Sequence, residues 1–274
     1  MNDPTMMKRC IWCLKTNEDV TFDKVAHILP QGLGAKEVCE EECDNCNEFF
    51  GQREAPRKPS IDIVLKETLI LSKYMKLTSI LRYQQAVGVR ETRKIFGKTI
   101  TKNNIQQIGK STELFKIKIS EKERSIKPKN AFRHYAHSPR VFTNYLKRGL
   151  MKVAFEKAYI SDHLHDSFYS EFYDYIRDFV RWNKGNPKIY YLKRKLGAEM
   201  TAIDYLINPR VLLHTTKNNY LKFEILNHLF AISLGNLNLT EHAFLNQYRN
   251  DKLFTPVEIR SFLDIDIFNT VFHT

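Results

Sequence analysis

Cysteine is missing from most of this sequence: none of residues 47–274 is a cysteine, and all five cysteines lie between residues 10 and 46. The sequence also lacks any uncharged apolar run of about 18 residues, which a transmembrane helix would require. Its start, MNDPTMMKRC, lacks the apolar segment of a secretory signal. We therefore expect a cytoplasmic protein without a membrane partner, in which disulfide bonds are a poor explanation for the cysteines.

Charge is unevenly distributed along the chain. Residues 1–56 hold 6 Lys/Arg and 11 Asp/Glu, residues 57–158 hold 24 and 7, and residues 159–274 hold 13 and 13. The middle segment has a net charge of +17, which favours a polyanionic partner because each phosphate neutralised by Lys or Arg releases counterions. A charged surface that serves only solubility would give the same count.

The cysteines form two C-x-x-C pairs, Cys10/Cys13 and Cys43/Cys46. Two such pairs have the spacing of zinc knuckles and supply the four thiolates of a closed, tetrahedral structural site. The fifth cysteine, Cys39, is predicted to be a small buried residue. Redox chemistry by a C-x-x-C pair is the alternative, but no βαβ pattern surrounds either pair.

The 29 residues between the two pairs exceed the usual spacing of a zinc ribbon, so they must contain a structural insert. VTFDKVAHILP is predicted to be a strand, QGLGAKEV a turn-rich loop and CDNCNEFFGQRE the start of a helix. A strand, a loop and a helix held by zinc make a ββα unit. In such a unit His27 on the strand and Asn47 at the start of the helix can face the same hollow.

The segments CIWC, AHILPQGLG and CDNCNEFFG, in that order, resemble the zinc-binding HNH branch of the His-Me finger endonucleases over residues 8–54. The resemblance implies a ββα-metal fold and hydrolysis of phosphodiester bonds in nucleic acid, with double-stranded DNA as the expected partner. It also implies a general base at His27, a role that suits imidazole because its pKa lies near neutrality. Asn47 is implied to bind a catalytic Mg²⁺ or Mn²⁺, beside the structural Zn²⁺. Small stand-alone nucleases of this kind are often restriction or phage-defence effectors.

One departure from the family pattern concerns the catalytic metal. Ala26 stands where many relatives have an acidic residue that shares the ion, and alanine has no ligand atom. Asn47 would then bind the ion mainly with waters, or a nearby carboxylate would substitute: Glu54, Asp44 or Asp23. Glu54 is the supporting carboxylate that we favour, because it lies seven residues after Asn47 and thus on the same face of a helix two turns on.

A second departure concerns the orientation of the imidazole. No asparagine lies between His27 and Asn45, so another group, such as a backbone carbonyl, must orient the ring. The alternative function is a non-catalytic zinc-ribbon protein that binds nucleic acid, in which His27 is an ordinary strand residue. A nuclease that stays inactive until a partner binds is a third possibility.

The whole chain is predicted to be α+β. We expect a zinc-stapled HNH module over residues 1–56, a basic, strand-rich region over residues 57–132, and a mixed helical and strand body over residues 133–274. Pro56 and Pro59 mark the boundary after the module, and the apolar run that follows them predicts a buried element. The last region carries no recognisable chemistry, so it is open to a role in a homodimer or in binding a regulatory partner protein.

The basic region alternates apolar and charged residues at period two between Val87 and Ser120, which predicts a small antiparallel sheet with a cationic face. EKERSIKPKNAFR, after it, is predicted to be an exposed basic loop. The candidates for contact with phosphate are Arg90, Lys94, Lys98, Lys116 and Lys118.

Two amphipathic helices are predicted next, in SPRVFTNYLKRGLMKVAFEKAY and SDHLHDSFYSEFYDYIRDFVRW. The segment RVLLHTTKNNYLKFEILNHLFAISLGN predicts at least two strands, and TPVEIRSFLDIDIF predicts a helix with Thr255 as its cap and Pro256 in its first turn. The apolar stripes of the two helices are expected in the core: Val141, Tyr145, Leu146, Leu150, Val153 and Ala154 in the first, and Phe168, Phe172, Tyr175, Ile176 and Phe179 in the second.

Overall fold

The computed structural model of the chain has an α+β architecture, with helices and antiparallel sheets. It describes residues 7–33, 35–52, 59–66, 68–69, 93–95, 98–100, 105–106, 115–119, 122–126, 139–161, 165–194, 211–214, 220–226, 228–233, 238–261 and 264–265. Within these ranges no helix combines the length and the apolarity that crossing a bilayer requires.

The N-terminal module has little regular structure before its helix. Gln31–Leu33 form a short 3-10 turn, and helix α1 spans Asp44–Gly51. The strand predicted for VTFDKVAHILP is reduced to an isolated antiparallel bridge between His27 and Val38. The backbone N–H of Lys24 donates to the side chain of Asp44 at 2.8 Å. The chain therefore bends towards α1 at this point and does not continue as a strand.

Three helical elements beyond the module surround the core. Residues 61–66 and 68–69 form α2, Pro139–Ser161 form α3 and Asp174–Trp182 form α4. The predicted second amphipathic helix is wrong over its first half, where 3-10 turns occupy His165–Tyr169 and Glu171–Tyr173. Arg177 explains the difference, because its guanidinium binds the carbonyls of Phe168 and Ser170, which a continuous helix would need for its own hydrogen bonds.

The C-terminal body is built on a five-stranded antiparallel sheet. The five strands are β6 (Ile189–Arg194), β7 (Leu212–His214), β8 (Tyr220–Ile225), β9 (His228–Ser233) and β10 (Phe254–Glu258). Their order in the sheet is β10-β6-β9-β8-β7, and helix α5 spans Asn238–Gln247. The strands predicted around the KNN turn are confirmed as β7, β8 and β9.

The helix predicted to begin at Thr255 and Pro256 is wrong, because both residues lie in β10. Pro256 pairs with Leu192 of β6, and β10 is at the edge of the sheet. Proline is compatible with an edge strand, since its missing N–H can face away from the ladder. Asp251 closes the preceding turn by accepting hydrogen bonds from the backbone of Leu253 and Phe254, so the chain enters β10 already extended.

The basic region forms strands, as predicted. The strands are β1 (Arg93–Ile95), β2 (Lys98–Ile100), β3 (Ile105–Gln106), β4 (Phe115–Ile119) and β5 (Lys122–Ile126). Antiparallel pairs join β1 to β2, and β4 to both β3 and β5. The basic loop predicted for EKERSIKPKNAFR is wrong at its start, where β5 pairs with β4. KERSI carries almost no apolar alternation, so only its pairing identifies it as a strand.

One hydrophobic core includes residues of the N-terminal module, of α2, α3 and α4, and of the five-stranded sheet. Trp12 lies within it, with ring centroids 5.2 Å from both Phe50 and Phe155. The predicted apolar stripes are wrong at Val141, which is 39% exposed, and at Phe172, which is 53% exposed. Most other stripe residues are buried, as predicted: Tyr145, Leu146, Leu150, Val153, Ala154, Phe168, Ile176 and Phe179.

Candidate metal centre and active site

The four cysteines of the two C-x-x-C pairs converge on one point. The sulfur atoms of Cys10, Cys13, Cys43 and Cys46 all lie within 4.8 Å of one another, and those of Cys13 and Cys43 are 3.7 Å apart. Ligands about 2.3 Å from a tetrahedral zinc ion would be about 3.8 Å apart. The cluster therefore fits a structural Zn²⁺, while Cys39 is buried and is not part of it.

Hydrogen bonds around and within the cluster shift the pKa values of its thiols in opposite directions. The backbone N–H groups of Trp12 and Cys43 both lie 3.4 Å from the sulfur of Cys10. A hydrogen bond with Cys10 lowers the pKa of Cys43 to about 7, whereas hydrogen bonds with the other thiols, Cys13 first, raise the pKa of Cys10. A divalent cation at the cluster would allow all four thiolates to form.

His27 lies on a short hairpin directly before the 3-10 turn. The hairpin is closed by two backbone hydrogen bonds, from Ile28 to the carbonyl of Glu37 at 3.0 Å and from Cys39 to the carbonyl of Ala26 at 2.9 Å. The side chain of His27 is half-buried. Its Nδ1 atom is buried and has no hydrogen-bond partner among the described residues.

Asn47 lies on α1 and is brought next to the His27 hairpin. Its Nδ2 atom donates to the carbonyl of Val25 at 3.3 Å, two residues before His27. This hydrogen bond sets the orientation of the amide, because the flipped amide would place two oxygens against each other. Oδ1 of Asn47 therefore points away from that carbonyl and is available to a hard cation.

The carboxylates considered as substitutes for Ala26 have different positions. Asp44 is buried, and both of its oxygens are engaged, one by the hydroxyl of Thr21 at 2.5 Å and the other by the backbone of Lys24 at 2.8 Å. The hydrogen bond from Thr21 lowers the pKa of Asp44, which marks it as a structural anion. Asp23 is exposed, and Glu54 lies outside the described residues.

Among the described residues, the cysteine cluster is the only group of three or more His, Cys, Asp or Glu side chains close enough together to hold a metal ion. Ala26 is itself buried. The position that is often acidic in the family thus carries a methyl group inside the protein. A catalytic ion at the junction of the His27 hairpin and α1 would have Asn47 as its amide ligand, without a carboxylate from the described part of the chain.

The five candidates for phosphate contact are only partly described. Arg90 lies outside the described residues. Lys94 and Lys98 belong to the β1-β2 pair, opposite Thr99 and Ile95. The other two, Lys116 and Lys118, belong to β4, in the three-stranded sheet, opposite Ser125 and Glu123 of β5. These four lysines are therefore divided between two sheets.

Glu37 is a site residue that the sequence did not indicate. Its carboxylate accepts a hydrogen bond from Nζ of Lys157 on α3 at 2.5 Å and another from the backbone of Val211 at 2.9 Å. Glu37 also pairs through its backbone with Ile28, next to His27. The partners are 120 and 174 positions away along the chain, so no local pattern could have identified them.

The module described above matches a known family. Residues 10–57 match the model of a family described as HNH endonuclease, and the clustered cysteines, His27 and Asn47 all lie inside the match. The resemblance stated from the sequence is thereby confirmed for this segment, which is less than a fifth of the chain. No curated protein and no solved structure matches the chain.

Proposed function

We propose that this protein, which carries an HNH endonuclease domain at residues 10–57, is a metal-dependent endonuclease that hydrolyses phosphodiester bonds in DNA. The observation that carries the proposal is the hydrogen bond from Asn47 to the carbonyl of Val25 at 3.3 Å. It holds α1 against the segment that leads to His27. The segment that carries a base and the helix that carries an oxygen ligand for a cation, the two groups that metal-assisted hydrolysis needs, are thus bonded to each other.

In this proposal His27 is the general base that takes a proton from the attacking water. Because its Nδ1 is buried, Nε2 is the nitrogen through which the ring would accept that proton. The neutral ring then carries its own proton on Nδ1. Water attack at phosphorus, with departure of the 3′ oxygen, leaves a 5′ phosphate on the product.

Asn47 is the residue that would hold the catalytic Mg²⁺ or Mn²⁺, through Oδ1. When bound, such an ion supplies Lewis-acid stabilisation of the negative charge on the phosphate and on the leaving oxygen. The hydrogen bond from Nδ2 to Val25 fixes the side chain before any ion arrives, which lowers the entropy lost on binding.

The substrate we propose is double-stranded DNA. Residues 57–158 carry 24 Lys/Arg and 7 Asp/Glu, and this excess of cations favours the phosphate backbone. One HNH domain cuts one strand, so cleavage of both strands would require a homodimer or two separate events. A restriction or phage-defence role, in which a regulatory partner protein switches the activity, is the biological setting that this activity suits.

The test is nicking of supercoiled plasmid by the full-length, zinc-loaded protein in Mg²⁺ or Mn²⁺. His27→Ala and Asn47→Ala should each lower the nicking rate by about a hundredfold or more, because each removes a group that acts on the reacting atoms. His242→Ala and Asn45→Ala are the matched controls, since both residues are exposed, and they should nick at the wild-type rate. Labelled RNA in the same assay distinguishes the two nucleic acids.

The second candidate function is a non-catalytic zinc module that binds nucleic acid. The observation that favours it is the buried Ala26, which offers no ligand atom at the position directly before His27. If His27→Ala nicks plasmid as fast as the wild type while removal of zinc unfolds the domain, the catalytic assignment is wrong and the binding function stands.

A further inference from the structure

A groove runs across the surface formed by the first half of α3 and the end of α4. It consists of two adjoining cavities of about 400 and 600 Å³, both lined by Asn144 and Asn183. Phe49 of α1 and Trp182 line the first cavity, so the groove begins at the HNH domain. We call it the Trp182 groove; neither the family match nor the proposed catalytic residues account for it.

The first cavity exposes an aromatic ring to solvent. The indole of Trp182 is 53% exposed, although leaving a ring of this size in water is unfavourable. Its centroid lies 5.5 Å from that of Phe49, and the guanidinium of Arg181 lies 4.8 Å above the ring. This arrangement of a supported, accessible ring with an arginine beside it is suited to stacking against a flat π system.

Cations outnumber anions in the lining of the groove. Six Lys and Arg residues line the two cavities, against a single carboxylate, Glu258; two of the six, Lys147 and Arg148, are buried. Lys188 and Arg260 form ion pairs, with Glu241 and Glu258. Arg140 is exposed and forms none with the described residues, whereas Lys147 is buried and donates to the amide oxygen of Asn186 at 3.0 Å. Arg140 is therefore an exposed cation of the groove without an ion pair among the described residues.

We propose that the Trp182 groove binds an unpaired stretch of nucleic acid, with one base stacked on Trp182 and an adjacent phosphate facing Arg140. Bases inside a duplex cannot offer their faces to a protein ring, whereas unpaired bases can. An acidic peptide would satisfy the cations but would leave the exposed indole without a flat partner. The combination of ring and cations therefore favours a polynucleotide.

The position of the groove defines its relation to the proposed cleavage site. Phe49 follows Asn47 by two residues, so the two side chains leave α1 on nearly opposite sides. A helix with its side chains is about 10–12 Å across, a distance that a few nucleotides of a single strand can span. The groove would thus hold nucleotides beside the scissile phosphate, such as a strand opened next to the cut. This role as a substrate subsite rests on the proposed function; the binding itself does not.

The two tryptophans of the chain provide a direct measurement. Trp12 is buried and Trp182 is exposed, so quenching by a stacked base would report on Trp182. Titration of the zinc-loaded, full-length His27→Ala protein, without Mg²⁺, with a short oligothymidylate should quench its fluorescence. A blunt hairpin duplex should quench it much less, and oligouridylate tests whether RNA is accepted as well.

Variants separate stacking from folding. Trp182→Ala should weaken binding of labelled oligothymidylate about tenfold, whereas Trp182→Phe, which keeps a ring, should stay within about threefold of the parent protein. Phe172→Ala is the matched control, because Phe172 is also an aromatic residue with 53% exposure but does not line the groove; it should leave the Kd unchanged. Arg140→Gln should reduce the slope of log Kd against log salt concentration by about one.

The outcomes distinguish this inference from the proposed function. If Trp182→Ala binds oligothymidylate as tightly as Phe172→Ala does, or if the duplex quenches as strongly as the single strand, the assignment of the groove is overturned while nicking that depends on His27 would still stand. If nicking does not depend on His27 but Trp182→Ala loses single-strand binding, the groove stands as a binding site and the nuclease proposal fails.

Discussion

Asp44 shows how one side chain positions the candidate site. It is the first residue of α1, and its carboxylate binds the hydroxyl of Thr21 and the backbone N–H of Lys24. A negative charge at this end of a helix is also favoured by the helix dipole. The segment that leads to His27 is therefore attached to the helix that carries Asn47, and Asp44 has no oxygen to spare for a catalytic ion.

Replacement of Asp44 should destabilise the module. In Asp44→Asn an N–H₂ group faces one of the two donors, and we expect the free energy of unfolding to fall by about 1–3 kcal/mol, the cost of a buried donor without an acceptor. Urea unfolding of the zinc-loaded protein at pH 7 measures the change. Asp19→Asn is the control, since Asp19 is exposed and should stay within about 0.5 kcal/mol of the wild type; equal midpoints for all three proteins would contradict the structural role of Asp44.

At the scale of elements, the His27 hairpin is held from outside its own module. Its second strand carries Glu37, whose two oxygens bind Lys157 of α3 and the backbone of Val211. Val211 directly precedes β7. The candidate base is thus positioned by a helix and a sheet of the C-terminal body, and Glu37 is a positioning residue that acts through the hairpin.

Removal of this tether should affect the rate more than substrate binding. In Glu37→Gln the ion pair with Lys157 is lost, and we expect kcat for plasmid nicking to fall about tenfold, because a shift of the base of about 1 Å is costly to the rate. KM should change by less than about threefold. Glu40→Gln, at an exposed position three residues further on, should behave as wild type. A rise in KM without a fall in kcat in Glu37→Gln would argue against a positioning role.

At the scale of the whole molecule, the zinc module and the body share their interior. Arg177 and Arg181 of α4 donate to the carbonyls of Ile11 and Trp12, between Cys10 and Cys13. On the other side, the indole N–H of Trp12 donates to Glu156 of α3 at 2.8 Å. The first knuckle is therefore bonded to both α3 and α4.

A second link between module and body is a buried ion pair. Nζ of Lys152 on α3 lies 3.3 Å from the carboxylate of Glu42, which precedes Cys43, and 3.0 Å from that of Glu156. Burial disfavours the charged lysine, but the carboxylates of Glu156 and Glu42 outweigh it and raise the pKa of Lys152. A paired charge of this kind is strongly destabilising when one partner is removed, so displacement of the module would affect α3 directly.

Loss of zinc should therefore disturb more than the module. Cys43→Ala should abolish binding of the single zinc ion per chain and lower the thermal midpoint by at least about 10 °C, with loss of helical signal from α3 as well as α1. Metal analysis and circular dichroism measure both effects. Cys39→Ala is the matched control: Cys39 is also buried but lies outside the cluster, so it should keep one zinc ion per chain. A Cys43→Ala protein with an unchanged midpoint would contradict the shared core.

The tertiary structure corrected the sequence where distant partners override local patterns. The pattern of Thr255 and Pro256 is that of a helix start, yet pairing with β6 makes the segment a strand. Phe172 has the spacing of a core residue, but 3-10 turns held by Arg177 leave it exposed. Asp44 was a candidate ligand by proximity in sequence alone. In each case the local spacing of apolar and polar residues does not predict the contact that decides the structure.

The sequence by itself determined the four-cysteine cluster, which fits a structural zinc ion, and the family that residues 10–57 match. Two C-x-x-C pairs and the residues between them form a local pattern, and the chemistry of zinc requires those ligands at that spacing. Only the tertiary structure decided that Glu37 holds the His27 hairpin, that Asp44 is structural, and that Trp182 opens a cationic groove beside the domain. Those features depend on side chains from separate elements meeting in space, and the free energy of packing the shared core is what brings them together.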